Sequence, residues 1–270
     1  MRIIAVLAVR NELPYLRNNL RNLIANGIEF AIIDNDSSDG TETLARSDPF
    51  AKSLVAYRHF PYFGEYNWEG LLRAKEELIA ELDADWVIHL DADEIMHSYN
   101  AGERLDDAIK RIDADRYDVI DFDEFVFLPL ERSYDIDCVG YQQLRHYYFF
   151  RPNKLPRLMR ARRKHVEINI VDSGGHGFAS SDIRLAPEKF ALRHYLFINQ
   201  AHAYAKYTQR PYRAEELKRG WHIKRHAQPM ENFRFPSTDV FEYLSDPSDR
   251  DLCRDRPYAL HYWQWGGSQK

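Results

Sequence analysis

Cysteine is nearly absent from this chain. The only two, Cys138 and Cys253, match no metal-binding spacing and cannot form a disulfide framework, which points to a reducing compartment. A run long enough to cross a bilayer is missing as well. The opening Met1-Arg-Ile-Ile-Ala-Val-Leu-Ala-Val-Arg10 is too short, and no small-residue cleavage site follows it, so it reads as a first strand of a cytoplasmic protein. Neither sign of charge prevails: 37 Lys and Arg against 42 Asp and Glu leave a net charge of −5. Nothing global therefore draws the chain to nucleic acid or to an anionic membrane. Repeats and low-complexity linkers are also lacking, and Val9-Arg-Asn-Glu-Leu-Pro14 has no glycine with which to cradle a phosphate.

What is present is a chain of 270 residues, 44% hydrophobic, long enough for one large α/β domain or two small ones. Its 17 Tyr, 15 Phe and 5 Trp suit packing and stacking alike. The pattern predicts a strand over Ile3 to Val9. A helix follows, with Asn11 as cap, Pro14 in the first turn, an apolar face of Leu13, Leu16, Leu20, Leu23 and Ile24, and Gly27 as its stop. A second strand, Phe30 to Ile33, ends in Asp34-Asn-Asp-Ser-Ser-Asp-Gly-Thr41, a polar turn with Asp39 and Thr41 as caps for another helix. Strand, helix, strand, loop, helix opens a right-handed parallel βαβ sheet. Leu54 to His59 is a third strand, and Trp68 to Leu82 a helix whose Arg73 and Lys75 either reach a phosphate or lie on a solvated face.

The centre of the pattern is Asp85-Trp-Val-Ile-His-Leu-Asp-Ala-Asp-Glu-Ile-Met96. An apolar run suited to a buried strand stops at Asp91, Asp93 and Glu94, at the strand end where open α/β sheets place ligands. Like charges crowded together are costly unless a cation holds them, so Asp91 and Asp93 read as a divalent-metal site. The spelling alone is weak. Asp-x-Asp occurs seven times, from Asp34, Asp83, Asp91, Asp113, Asp121, Asp135 and Asp249, but only those at Asp34, Asp91 and Asp121 follow an apolar run.

Taken together, Val-Arg-Asn-Glu after the first strand, Asp-Asn-Asp-Ser-Ser-Asp-Gly-Thr after the second and Asp-Ala-Asp-Glu after the fourth resemble glycosyltransferase family 2. The likeness covers about the first hundred residues. It implies a GT-A fold, a mostly parallel Rossmann-like sheet flanked by helices, and a nucleotide-diphosphate sugar donor with Mn²⁺ or Mg²⁺. It also implies inversion, with a base on the face opposite the nucleotide. Val9, Arg10, Asn11 and Glu12 would border the nucleotide, with Arg73 a further candidate. Asp34, Asn35 and Asp36 would meet base and ribose, Asp91 ribose or metal, and Asp93 would be the main metal ligand. Asn35 departs from the family, where a second Asp commonly reads the base, and an amide both donates and accepts.

The second half is expected to bind the acceptor: a sugar, a lipid-linked group or another hydroxyl. After a short helix, Leu105 to Ile112, a fifth strand is predicted over Tyr117 to Phe127, interrupted by Asp121, Asp123 and Glu124. Glu124 is the favoured general base, against an ordinary exposed edge strand. Arg151, Lys154, Arg157, Arg160, Arg162, Arg163 and Lys164 form a basic run without an acid. It reads either as a solvated segment or as peripheral attraction to an anionic acceptor or membrane. His176, in the loop Gly174-Gly-His-Gly177, and His194, before a helix over Asn199 to Gln209, resemble the late histidine that completes the metal shell in the family, and imidazole would favour manganese. The tail has a helix from Pro211 to Trp221 and ends in Leu260-His-Tyr-Trp-Gln-Trp265, whose Trp263 and Trp265 either stack on a sugar ring or dock the tail.

The expected organisation is a GT-A domain over 1–200, with a nucleotide-sugar half (1–100) and an acceptor half (101–200), and a helical extension over 201–270. The rivals are a sugar nucleotidyltransferase, which the missing glycine loop disfavours, a phosphohydrolase, which would need its Asp pair after the first strand, and a nucleotide- or sugar-binding protein without catalysis.

Overall fold

A computed structural model describes residues 1–130, 140, 143–153, 156–176, 183–223, 226 and 228–267. Cys138, Asp135, Lys154 and Gly177 lie outside the described residues. The chain forms two compact units. One comprises Met1–Phe63, Asn67–Phe122 and Pro156–Leu192; the other comprises Gly64–Tyr66, Asp123–Leu155 and Arg193–Lys270.

The first unit is built on a six-stranded sheet in the order β3-β2-β1-β4-β9-β6. β1 (Ile3–Val9) pairs in parallel with both β2 (Glu29–Asp34) and β4 (Trp86–Leu90), and β3 (Leu54–His59) lies parallel to β2. Central position matches composition: the strand interiors of β1, β2 and β4 are buried, whereas edge strand β3 is only half-buried. The expected fifth strand divides in two. β6 (Val119–Ile120) pairs antiparallel with β9 (Ala161–Arg163) in this sheet, and β7 (Phe122–Leu128) belongs to another. Asp121 sits at the joint, where its carboxylate accepts the Leu158 N–H at 2.8 Å and meets Lys189 Nζ at 2.6 Å. A buried acid with two dedicated partners breaks the strand because its side chain replaces ladder hydrogen bonds.

Helices α1 (Leu13–Ala25), α2 (Thr41–Ala45), α3 (Trp68–Glu81) and α4 (Leu105–Ala114) belong to this unit. Asn11 is not the cap of α1. It adopts a left-handed φ of 53°, and the first helical N–H, that of Leu13, donates instead to Asp39 Oδ2 at 2.8 Å. Gly27 ends the helix at a φ of 70°, as its place in the sequence predicts. β5 (Glu94–His97) follows the acidic turn directly.

The later part of the basic run, Arg160, Arg162, Arg163 and Lys164, turns inward, while Arg151 is exposed. Arg160 and Arg162 are buried: Arg160 pairs with Glu94 at 2.8 Å and Arg162 with Glu76 at 2.7 Å. Arg163 pairs with Asp113 at 2.9 Å, and Lys164 donates to the Leu82 carbonyl. Neither a solvated segment nor a membrane-attracting patch describes these residues, because their partners, distant in sequence, take up the charge.

In the second unit β7 pairs antiparallel with β8 (His146–Phe150), which also pairs with β11 (Glu242–Tyr243) and β12 (Pro257–Tyr258). β10 (Phe190–His194) runs from the first unit into the second. The unit's helices are short, α5 (Gln200–Tyr207), capped by the Asn199 side chain, and α6 (Ala214–Lys218). Its core is aromatic: Tyr148, Phe150, Phe197, Tyr207, Phe233, Phe241, Tyr262 and Trp263 form one cluster with Val126 and Leu128. Among the described residues no helix is long and apolar enough to cross a membrane.

Candidate functional site

The site follows from the register of three strands. Val9 is level with Asp34 and Leu7 with Leu90, so the carboxyl ends of β2, β1 and β4 lie side by side and the loops after them emerge together. Two strand spacings, about 10 Å, separate the ends of β2 and β4. This is the edge at which parallel α/β sheets take ligands.

At the end of β2 the buried Asp34 accepts from Ser37 N–H at 2.9 Å and from the Tyr57 hydroxyl at 2.7 Å. Burial and this carboxylate push the Tyr57 hydroxyl pKa up, so Tyr57 remains a donor. Asn35 is buried and gives its amide N–H to the Phe60 carbonyl at 2.9 Å. The Arg10 guanidinium donates to the carbonyls of Asn35 at 2.5 Å and Asp36 at 2.8 Å, and lies 3.4 Å over the Tyr62 ring. Asn11 Oδ1 accepts from Ser38 N–H at 2.7 Å, and Asn11 N–H donates to Ser37 Oγ at 3.0 Å. Glu12 closes the loop by accepting the Tyr15 and Leu16 amides on its carbonyl. The loops after β1 and β2 are thus one hydrogen-bonded body, which brings Val9 to Glu12 and Asp34 to Asp36 together.

At the end of β4 the acids face cations that the motifs do not announce. Lys75, wholly buried on α3, donates to the Leu90 carbonyl at 3.0 Å and to Asp91 at 3.3 Å. Arg160 lies 3.5 Å from the other Asp91 oxygen and 2.8 Å from Glu94. Burial lowers the Lys75 pKa while Asp91 raises it and Arg160 lowers it. Glu94 is fully internal, and its second oxygen accepts the Asp91 N–H at 3.0 Å. His89, two residues earlier, is buried with neither ring nitrogen hydrogen-bonded; burial, with Lys75 and Arg160 nearby, pushes its pKa well below the usual value and keeps it neutral. The turn itself hangs on Asn19 of α1, whose amide donates to the carbonyls of Asp91, Ala92 and Glu94 at 3.1, 3.0 and 2.7 Å. Sequence reasoning missed Asn19. Its only signal was a polar residue one position from Leu20 on the apolar side of the helix.

Arg73 is not gathered here. It lies on the outer side of α3 and pairs with Glu69 at 2.9 Å, while Lys75, two residues on, faces the sheet. That is the consequence of a helical step of about 100° per residue.

His176 shares the first unit with Asp91 and Asp93. Its loop is packed: Trp68 Nε1 donates to the Gly174 carbonyl at 3.0 Å, and His176 Nδ1 lies 3.0 Å from Arg157. His194 belongs to the second unit, where its Nδ1 lies 2.7 Å from Glu124 Oε1. In that unit Asp123 lies 3.9 Å from Arg254. Among the described residues no group of three or more His, Cys, Asp or Glu side chains is arranged to hold a metal ion. The chemistry of the donors nevertheless suits a hard cation. Magnesium-type sites in nucleotide enzymes use one or two carboxylates and leave other positions to phosphate and water. Asp91 and Asp93, on one turn, supply that number.

These features define an α/β unit whose parallel strands end in paired acids on one edge. The chain matches the profile of glycosyl transferase family 2 over residues 4–185, and it belongs to that family. No curated protein matches it. Among solved structures it is similar to S. aureus TarS 1–349, at 13% identity and a TM-score of 0.43 over 72% of this chain and 60% of that one. It is similar to the same protein in complex with UDP-GlcNAc, at 11% identity and a TM-score of 0.44, covering 74% and 60%. It is also similar to the mannosyltransferase PcManGT from Pyrobaculum calidifontis in complex with GDP-Man and Mn²⁺, at 19% identity and a TM-score of 0.33, covering 44% and 34%. The chain thus spans about 60% of TarS 1–349.

Proposed function

We propose that this protein transfers a sugar from a nucleoside-diphosphate sugar to an acceptor hydroxyl, with inversion at the anomeric carbon. The observation behind this reading is the meeting of the Asp34 loop, the Arg10 loop and the Asp91–Asp93 turn at the carboxyl ends of three adjacent parallel strands, in a member of a glycosyltransferase family. In this reading the base and ribose lie along Asp34, Asn35 and Asp36. The diphosphate lies toward the β4 turn.

Asp93, with Asp91, would hold Mn²⁺ or Mg²⁺. Bound there, the cation would offset the charge that develops on the departing diphosphate. The protein's own contribution is positional. Lys75 and Arg160 fix the Asp91 carboxylate, and Asn19 fixes the backbone that carries Asp93. A base must take the acceptor's proton, and our candidate is the Glu124–His194 pair: at 2.7 Å the carboxylate orients the imidazole, and either group can accept a proton. A sugar nucleotidyltransferase fits less well, since the loop after β1 has no glycine and Arg10 is engaged with backbone carbonyls.

The test is to incubate the full chain with UDP-, GDP- and dTDP-sugars, with Mn²⁺, with Mg²⁺ and with chelator. Metal-dependent release of nucleoside diphosphate is expected with at least one donor. Asp93→Asn should lower it by about 100-fold or more, the scale lost with a group that stabilises transition-state charge, with an unchanged circular dichroism spectrum. Pyrophosphate-dependent exchange, or full activity in Asp93→Asn, would overturn the reading.

A further inference from the structure

The tail of the second unit forms an open cavity of about 360 Å³ lined by Glu231, Asn232, Arg234, Tyr258, Trp263 and Trp265, among others. Its volume lies in the lower part of the range for small-molecule sites, roughly 300–1,000 Å³. The wall is aromatic and fixed. Tyr258 and Trp265 are stacked at 4.4 Å, and Trp263 is stacked on His261 at 4.4 Å, which in turn stacks on Phe150 at 3.8 Å. Trp265 Nε1 donates to the Leu260 carbonyl at 2.9 Å, and this holds the indole in place.

The rim is of another kind. Glu231, Asn232 and Arg234 are exposed, planar and polar, and the acid and the base cancel in charge. A site for phosphate would carry excess positive charge, and one for an acyl chain would lack such a rim. Aromatic faces accept the apolar C–H face of a sugar, while planar carboxylate, amide and guanidinium groups match neighbouring hydroxyls. Behind the wall, Tyr262 Oη and Trp263 Nε1 are buried without a hydrogen-bond partner, although both residues line the cavity.

We propose that this cavity is a binding site for an uncharged saccharide ring. This binding goes beyond the transferase reading above and does not depend on it. The Trp265–Tyr258 stack offers the ring an aromatic face, and Asn232, Arg234 and Glu231 address the hydroxyls.

The experiment is saturation-transfer NMR and titration calorimetry on the full chain without donor, using methyl glycosides of glucose, galactose, mannose and N-acetylglucosamine, with cellobiose, maltose and 1-octanol. At least one saccharide should bind saturably. Trp265→Ala should weaken it by about tenfold, the loss of one stacking contact, and Arg234→Ala, on the exposed rim and without effect on the core, should weaken it as well. If Trp265→Ala does not fold, Arg234→Ala decides alone. No saturable saccharide, a saccharide indifferent to the folded variants, or octanol binding in place of sugar would each overturn the proposal. Loss of saccharide binding with donor hydrolysis intact defeats this site alone, whereas saccharide binding without any donor hydrolysis keeps the site and defeats the transferase.

Discussion

At the scale of single residues, the acids of the β4 turn occupy two settings that the sequence writes identically. Glu94 is buried against Arg160 and the Asp91 backbone, a structural ion pair, while Asp91 and Asp93 stand at the ligand edge. Breaking a buried pair leaves an uncompensated charge, which costs about 3–5 kcal/mol, whereas replacing both partners is far less costly. Arg160→Met should therefore lower the urea-unfolding free energy by about 3–5 kcal/mol, and Glu94→Gln/Arg160→Met should recover most of it. Equal losses in the single and double variants would mean that packing, not charge, holds Arg160. The placement of Asp34, Asp91 and Asp93 was legible because each ends an apolar run whose direction a parallel sheet dictates. The cations facing them were not. Lys75 and Arg160 lie 16 and 69 residues from Asp91 in number, and nothing in a run of seven basic residues marks the one that meets the acidic turn.

Elements position these residues through a few cross-links. Helix α1 holds the β4–β5 turn by one amide with three carbonyl acceptors, and Asn19 is buried. Asn19→Leu removes the donors and should cost about 1–3 kcal/mol, the price of buried groups left unsatisfied. Asn19→Asp, isosteric but an acceptor facing acceptors, should cost more. Hydrogen exchange at residues 91–94 should rise in both, and a leucine variant worse than the aspartate would refute the donor role. Helix α4 is tied in through Arg111, which meets Glu103 at 3.0 Å and Glu188 at 2.5 Å. Hydrogen bonding to Arg111, helped by Ser98 and Asn100, lowers the Glu103 pKa from 4.5 to about 2. A depressed carboxylate contributes stability that is full above its unfolded pKa and lost as pH falls through the folded one. Melting temperature should thus fall between pH 4.5 and 2 less steeply in Glu103→Gln than in the parent chain. Identical slopes would remove Glu103 from the acid response. β1 to β4 and the helices α1 and α3 were readable from the apolar period, although Asn11 does not cap α1, whereas β5 and the short strands after residue 140 were not. The split of the fifth strand at Asp121 was not, because alternation continues through the break and the acceptor role of Asp121 depends on residues 37 and 68 positions away.

At the scale of the whole molecule, the first unit is discontinuous. Its sheet is begun by residues 1–122 and finished by 156–192, since β9 stands between β4 and β6, and the Arg160 carbonyl just before it accepts the His89 N–H at 2.7 Å. The same return brings Met159, Ile168 and Ile170 onto Leu72 and Val119. Each such buried side chain contributes about 1.5–3 kcal/mol, a total comparable with the net stability of an ordinary domain, about 5–15 kcal/mol. A chain shortened to residues 1–150 should therefore lack a cooperative unfolding transition, and its β4 amides, Trp86 to Leu90, should exchange with solvent at nearly unprotected rates. A chain ending at residue 192 contains all three segments of the unit and should recover both the transition and the protection. If the shorter chain protects β4 as well as the longer one, the parallel sheet is complete without its last strands, and the pairing of Arg160 with the acidic turn is not what holds that turn in place.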